Sequence, residues 1–365
     1  MSVVFVAAPA RGQNNVAQQV QHRNDIKRLV QWRDHYGDPP DKALFDRLNR
    51  YVAANPRDGE AAYWLSDLYS GGAPAIGQDM QLHLQLLVRA SDLGHPRAKA
   101  KLASYYLKGI GVTKDFKRAM ELAVAAAAQR EPRGHAVLAE IYETGAGVEP
   151  NPKVAIQYYQ QAAALDYDPA ILGLALAHLE GKHVDRDDAK GMALLEKASK
   201  NGMPQAQYYL AIEYLKRRHE GQNDLLAAKW MVESAKSDYL PAVAAMGDVL
   251  LMLDPTKQAE AVAWFRKAAE QGHGVGQRKY GLALISGEHV PPNVPAGVDW
   301  LNKSAEQGDA EAQEVLGVIY MAGLGVERDA DRAQILLQSA ADAGRERARV
   351  YLNVLKAQAK GSGEF

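Results

Sequence analysis

Residues 98–134 read AKAKLASYYLKGIGVTKDFKRAMELAVAAAAQREPRG, and the landmarks of this stretch return at a fixed interval almost to the C-terminus. Within it, Ala98 opens a run with Leu102, Ala103 and Tyr106 on one helical face. Gly109-Ile110-Gly111-Val112 breaks that run, and a second run carries Ala119, Leu122 and Ala126. The opening small residue recurs as Gly134, Ala170, Ala206, Ala242, Gly276, Ala312 and Ala348, in steps of 36 except for one of 34 at the shorter Asp254-Pro255 loop. An earlier copy begins at Ala61. Self-similarity at this period marks a solenoid of stacked supersecondary units.

The repeat columns have a physical logic. Four residues after each opening stand Leu102, Leu138, Leu174, Leu210, Met246, Tyr280 and Leu316, each followed by Ala or Gly. A bulky residue beside a small one makes a knob and a hole. Tyr106, Tyr142, Tyr214 and Tyr320 complete the amphipathic face three positions on. The second helix has a small column at Ala119, Ala155, Gly191, Ala227, Ala261, Gly297 and Ala333. Three residues later come Leu122, Tyr158, Leu194, Trp230, Trp264, Trp300 and Leu336, which read as core. Gly109, Gly145, Gly181, Gly287 and Gly323 stand where a left-handed cap ends the first helix. Each repeat is therefore a helix-turn-helix hairpin.

The pattern Leu316-Gly317, Tyr320, Gly323-Leu324-Gly325-Val326, Asp329, Ala333, Ala340-Ala341 and Gly344 resembles the Sel-one-like repeat (SLR), a relative of the tetratricopeptide repeat. Eight copies cover residues 61–348. The loop Lys216-Arg217-Arg218-His219-Glu220 lacks the glycines, and the first copy places His83 in the small second-helix column. The resemblance implies an all-α fold, a right-handed α-solenoid superhelix of antiparallel helix pairs, serving as a non-enzymatic scaffold or adaptor for protein assemblies. Exported bacterial members are implicated in exopolysaccharide secretion, signalling and host interaction, and this chain is similar to them.

The 365 residues include no cysteine, which removes disulfides, thiol catalysis and cysteine-based zinc sites. A formal net charge of −1 supplies no global field toward nucleic acid. Residues 1–13 begin apolar, with an Ala8-x-Ala10 pattern before Arg11. They read equally as a disordered terminus or as a signal-peptide remnant, which would make the protein periplasmic or otherwise exported, the alternative being cytoplasmic. The apolar stretch is too short to span a membrane, so a membrane-associated complex would be reached through partners. Residues 14–60 predict a divergent capping helix pair. Its first helix, from about Asn14 to Tyr36, has Val16, Val20, Leu29, Val30 and Trp32 on its apolar side and stops at Gly37-Asp38-Pro39-Pro40; the second carries Leu44, Phe45, Leu48 and Tyr51. Residues 349–360 predict a C-terminal capping helix with Val350, Tyr351, Val354 and Leu355 as one apolar stripe. Residues 361–365 read as a cloning linker.

The sequence carries no motif that assigns catalytic, cofactor or metal residues. Gly-x-Gly at Gly109, Gly145 and Gly323 follows helices rather than strands, as caps do. His183, His219 and His289 share one loop column. Helices stacked roughly 8–10 Å apart would not let neighbouring rings share one ion at about 2 Å. By analogy with tetratricopeptide relatives the first helix of each pair lines an inner groove. That groove would hold Ser104, Leu107 and Lys108, then Glu140, Glu143 and Thr144, then Leu172, Leu176 and Leu179, then Tyr208, Ile212 and Leu215. An apolar strip bordered by charge suits a protein segment; the competing reading buries the strip between neighbouring first helices. The partner expected is a protein of unknown identity. A second functional reading, a carbohydrate-binding or weakly hydrolytic periplasmic protein, rests on Tyr208, Tyr209, Glu140 and Asp248.

Overall fold

The structure, a computed structural model, describes residues 21–31, 41–72, 77–217 and 222–361. The expectations for residues 1–13, for the helix start at 14–20, for Trp32 and the stop at 37–40, for Arg218, His219 and Glu220, and for the tail at 362–365 lie outside the described residues. Among those described, every regular element is helical. The chain divides into two compact units, Met1–Met203 and Pro204–Phe365.

Unit one carries α1 (residues 21–31), α2 (Lys42–Ala54), α3 (Gly59–Asp67, running into a π-helical turn Leu68–Gly72), α4 (Met80–Asp92), α5 (Pro96–Lys108), α6 (Phe116–Ala127), α7 (Pro132–Thr144), α8 (Pro152–Ala164), α9 (Asp168–Glu180) and α10 (Asp188–Lys200). Unit two carries α11 (Pro204–Lys216), α12 (Asn223–Lys236), α13 (Leu240–Leu253), α14 (Gln258–Glu270), α15 (Gly274–Ser286), α16 (Val294–Glu306), α17 (Ala310–Ala322), α18 (Ala330–Asp342) and α19 (Glu346–Gly361). Within each unit successive helices pack in chain order from α3 onward, and α5 also touches α7, as α17 touches α19. The protein is an all-α solenoid of helix pairs.

The helix ends explain the period. Asp79, Asp115, Asn151, Asp187, Asn293 and Asp329 cap second helices, each side chain accepting the backbone N–H three residues on. Gly109, Gly145, Gly181, Gly287 and Gly323 end first helices with φ between 68° and 76°. That left-handed conformation favours glycine. Main-chain bonds then close each loop, from Asp115 N–H to Tyr106 O, Asn151 to Tyr142, Asp187 to His178, Asn293 to Leu284 and Asp329 to Tyr320.

The predicted knobs Leu102, Leu138, Leu174, Leu210, Met246 and Leu316 are buried, whereas Tyr280 is half-buried, as are Tyr106, Tyr142 and Tyr214 in the next column, where Tyr320 is buried. Ala98, Leu102 and Ala103 are buried in unit one, and Leu316 and Ala333 in unit two. On the second helices, Tyr158, Leu194, Trp230, Trp264, Trp300 and Leu336 are only half-buried. Leu122 of that column is buried, and the position one residue later is buried at Ala123, Leu195, Met231, Phe265, Leu301 and Leu337, Tyr159 being half-buried. Four residues after the small column is one helical turn, so that side chain lies directly over the hole. The tryptophans instead carry lysines on their faces, as Lys303 does 4.1 Å from the Trp300 ring centroid.

His83 does not break the first repeat. Its buried ring sits with Nδ1 2.7 Å from the Ser66 carbonyl and Nε2 3.0 Å from the Tyr105 hydroxyl. At the C-terminus the predicted apolar stripe divides: Leu355 is buried and Tyr351 half-buried, whereas Val350 is 61% exposed and Val354 is also exposed, and the buried face is completed by Ala348 and Leu352. The helix begins at Glu346 and extends through Gly361.

His95 caps α5, its Nδ1 3.3 Å from the Ala98 N–H and its ring stacked 4.7 Å from that of Tyr63. Burial, reinforced by the Arg97 charge and opposed by Asp58, lowers its pKa to about 4 from the ordinary 6.5. The unfolded chain therefore binds the proton more readily. The His95 contribution is complete above pH 6.5 and fades as pH falls to about 4. Thermal unfolding at pH 7 and pH 4 checks this: His95→Asn, which keeps a cap, is expected to lose less stability on acidification, by on the order of 1–2 kcal/mol.

Candidate interaction surface

Charged pairs link neighbouring repeats along their first helices and the residues that flank them. In unit one Lys101 Nζ lies 2.6 Å from Asp67 Oδ1, Lys108 Nζ 3.2 Å from Glu140 Oε2, and Lys182 Nζ 3.3 Å from Glu143 Oε1. In unit two Arg278 binds Asp309 at 2.9 Å and Glu311 at 3.1 Å, Arg345 binds Glu314 at 2.8 Å, and Lys279 meets Asp248. Partners are separated by 31 or 34 residues in several of these pairs, close to one repeat. That offset was a signal present in the sequence. It emerges only when charges are compared across repeats rather than along one helix.

Both predicted acidic residues of unit one lie on this surface. Glu140 joins Lys108. Glu143 also accepts the Tyr159 hydroxyl at 3.1 Å, and burial together with that carboxylate raises the Tyr159 pKa. Glu140, Ser104 and Lys108 line a pocket of about 370 Å³ whose other walls include Lys101, Arg133 and Tyr159. Leu107 is buried and takes no part in the exposed face.

The apolar strip divides. Leu172 and Leu179 are each only 9% exposed, so these two are packing residues and not open surface. Leu179 has a definite seat: a Cβ built on Gly191 of α10 would lie 2.6 Å from Leu179 Cγ, so the glycine is the hole for this leucine. Leu176 is half-buried. In unit two Tyr208, Ile212 and Leu215 are partly buried against the cluster around Ala211, Met231 and Val243. Tyr208 sits edge-on to Tyr209 at 5.5 Å and to Tyr239 at 5.6 Å between centroids, and burial raises its pKa. Leu176 is thus the strip residue of unit one that remains available for contact.

Glu140 and Asp248, the carboxylates of the hydrolytic reading, belong to different units, and each is held by a lysine of its own unit. His183 and His289 adopt φ 62°, the loop position that Gly111, Gly147 and Gly325 fill elsewhere at 66–75°. Their shared column is a backbone position. Among the described residues no three His, Asp or Glu side chains gather in a metal-binding arrangement, and no helix is long and apolar enough to cross a membrane.

A family model described as Sel1 repeat matches residues 59–95, 96–130, 132–167, 168–203, 204–239, 242–273, 274–309 and 310–344. Among solved structures, a Sel1 repeat protein from Oxalobacter formigenes is similar at 28% identity and a TM-score of 0.60, covering 91% of this chain and 93% of that one. A protective antigen present in uropathogenic Escherichia coli strains, displaying an SLR fold, is 25% identical with a TM-score of 0.46, covering 94% of this chain and 82% of that one. A search of curated proteins finds no match.

Proposed function

Because the chain belongs to the Sel1 repeat family, a solenoid fold commonly used as a protein-interaction scaffold, we propose that it is a non-enzymatic adaptor whose first helices hold another protein. The observation that carries this reading is the set of charged pairs that joins α5 to α7 and α7 to the loop after α9. They link successive first helices and border a 370 Å³ pocket between α5, α7 and α9. A surface that offers such a pocket beside a half-buried leucine suits capture of an extended or helical segment of a partner.

The proposed setting is a bacterial envelope or secretion-related assembly, including exopolysaccharide secretion, with a periplasmic or otherwise exported location. The support is the apolar start with small residues at Ala8 and Ala10. Subcellular fractionation followed by in-cell crosslinking and mass spectrometry tests both parts. Recovery solely with cytosolic neighbours would overturn the location and leave the adaptor role intact. For the surface, Leu176→Asp and Lys108→Glu are expected to reduce partner recovery at least about fivefold while preserving the helical circular-dichroism spectrum, each introducing a charge unsuited to the original contact. Undiminished recovery by both folded variants would exclude the unit-one face.

A further inference from the structure

Arg133, in the first turn of α7, is the residue that these charged pairs do not use. Its Nε donates to the Tyr167 hydroxyl at 3.3 Å, and its terminal nitrogens meet no hydrogen-bond or ion-pair partner among the described residues. A guanidinium offers five N–H donors in a rigid fork whose outer edge matches a carboxylate. The adjoining acid is occupied elsewhere: Glu131 lies 3.9 Å from Arg97 and accepts the backbone N–H of Arg133.

The remaining charges of the pocket are neutralised. Lys101 is paired with Asp67, and Lys108 with Glu140. Three cations against two carboxylates leave one positive charge, centred on Arg133. The 370 Å³ volume, at roughly 30 Å³ per water, would accommodate about a dozen water molecules, space enough for one amino-acid side chain and its flanking backbone. A single excess positive charge matches a monoanion. A dianion such as phosphate would face Glu140 and Asp67 with less compensation.

We infer that this pocket seats a carboxylate of the protein partner, an Asp or Glu side chain or a chain-terminal group, on the fork of Arg133. Ser104 and the Lys108 ammonium line the same space. The source of the carboxylate rests on the adaptor reading; the chemistry of the seat does not. Bidentate charge-assisted bonds to arginine are directional, so the seat fixes the orientation of the segment it holds.

The test is a titration of the full chain, labelled with ¹⁵N and followed at the Arg133 Nε–H resonance. The probes are an acetylated, amidated Ala-Ala-Glu-Ala-Ala peptide, its glutamine counterpart and inorganic phosphate. The glutamate peptide is expected to shift the resonance saturably, with the glutamine peptide at least about tenfold weaker and phosphate no tighter than glutamate. In Arg133→Gln, followed at the backbone amides around the pocket, the glutamate preference is expected to vanish; Arg133→Lys should weaken it about tenfold, since an ammonium cannot form the fork. Equal binding of the two peptides, or an unchanged preference in Arg133→Gln, would overturn the seat. Tighter phosphate binding would reassign it to a free anion. Should Arg133→Gln not fold, Arg133→Lys and the peptide pair decide the matter. A partner captured equally by wild type and Arg133→Gln sinks the seat and spares the adaptor, whereas a positive titration with no captured partner does the reverse.

Discussion

Replacing Gly281 with leucine is expected to lower the stability of unit two by about 3 kcal/mol or more, the upper range of overpacking effects. At this point α15 and α16 touch through backbone. A Cβ on Gly281 would lie 2.8 Å from the Gly297 carbonyl oxygen and 3.2 Å from Leu301 Cγ, and a Cβ on Gly297 would lie 2.7 Å from the Gly281 oxygen. A side-chain neighbour could rotate away, but a carbonyl within a helix can yield only if the helix moves. Hydrogen exchange should show the loss concentrated in α15 and α16, since a solenoid couples mainly nearest neighbours. Gly173 provides the contrast. It lies within α9, exposed, with nothing within 4 Å of a built Cβ. Gly173→Ala is expected to stabilise unit one by about 0.5–1 kcal/mol in urea unfolding, through the lower helix cost of alanine. A stable Gly281→Leu protein with unchanged exchange would show that the two helices are not held by this contact.

The second large effect is expected at the deepest ion pair. Lys101 and Asp67 side chains are 10% and 3% exposed and lie 2.6 Å apart. Lys101→Met leaves a buried carboxylate without its ammonium, at a cost of about 3–5 kcal/mol. Adding Asp67→Asn to Lys101→Met should recover much of that loss, because the uncompensated charge is removed along with its partner. Denaturant unfolding of the four proteins gives the coupling directly. Additive losses would mean that the two groups act separately. Exposed pairs such as Lys182–Glu143, with side chains 58% and 32% exposed, should show coupling of no more than about 1 kcal/mol.

The parts of this fold legible in the sequence are those governed by local rules. Gly109 and Gly145 mark left-handed caps because few other residues adopt positive φ cheaply, and Leu102 beside Ala103 announces a knob and a hole in any copy. Two kinds of information were less accessible. The inward direction of the second helix differs by one position from the most conspicuous column, because Trp230, Trp264 and Trp300 draw attention while Met231, Phe265 and Leu301 fill the interior. Large aromatic residues can remain half-buried and cover their outer faces with lysine.

The candidate surface was harder to read because it depends on contacts about one repeat apart. Leu179 and Leu176 look equivalent along a helix, yet only Leu179 has Gly191 opposite it. Glu140 and Glu143 were visible as surface acids. Arg133 was not, since its distinction is a partner it lacks, and a missing contact leaves no mark on a linear sequence. His183 and His289 present the converse case: a shared column of chemically versatile side chains explained by main-chain geometry.

The loop-closing bonds run from the N–H of the capping residue to a carbonyl nine residues earlier, as in Asp115 to Tyr106 and Asp329 to Tyr320, entirely through peptide groups. Where the hairpin is pinned by atoms common to every amino acid, outward-facing side chains can be exchanged without renegotiating the geometry beneath them. Binding preference can then be rewritten one module at a time, with the dimensions of the module inherited intact.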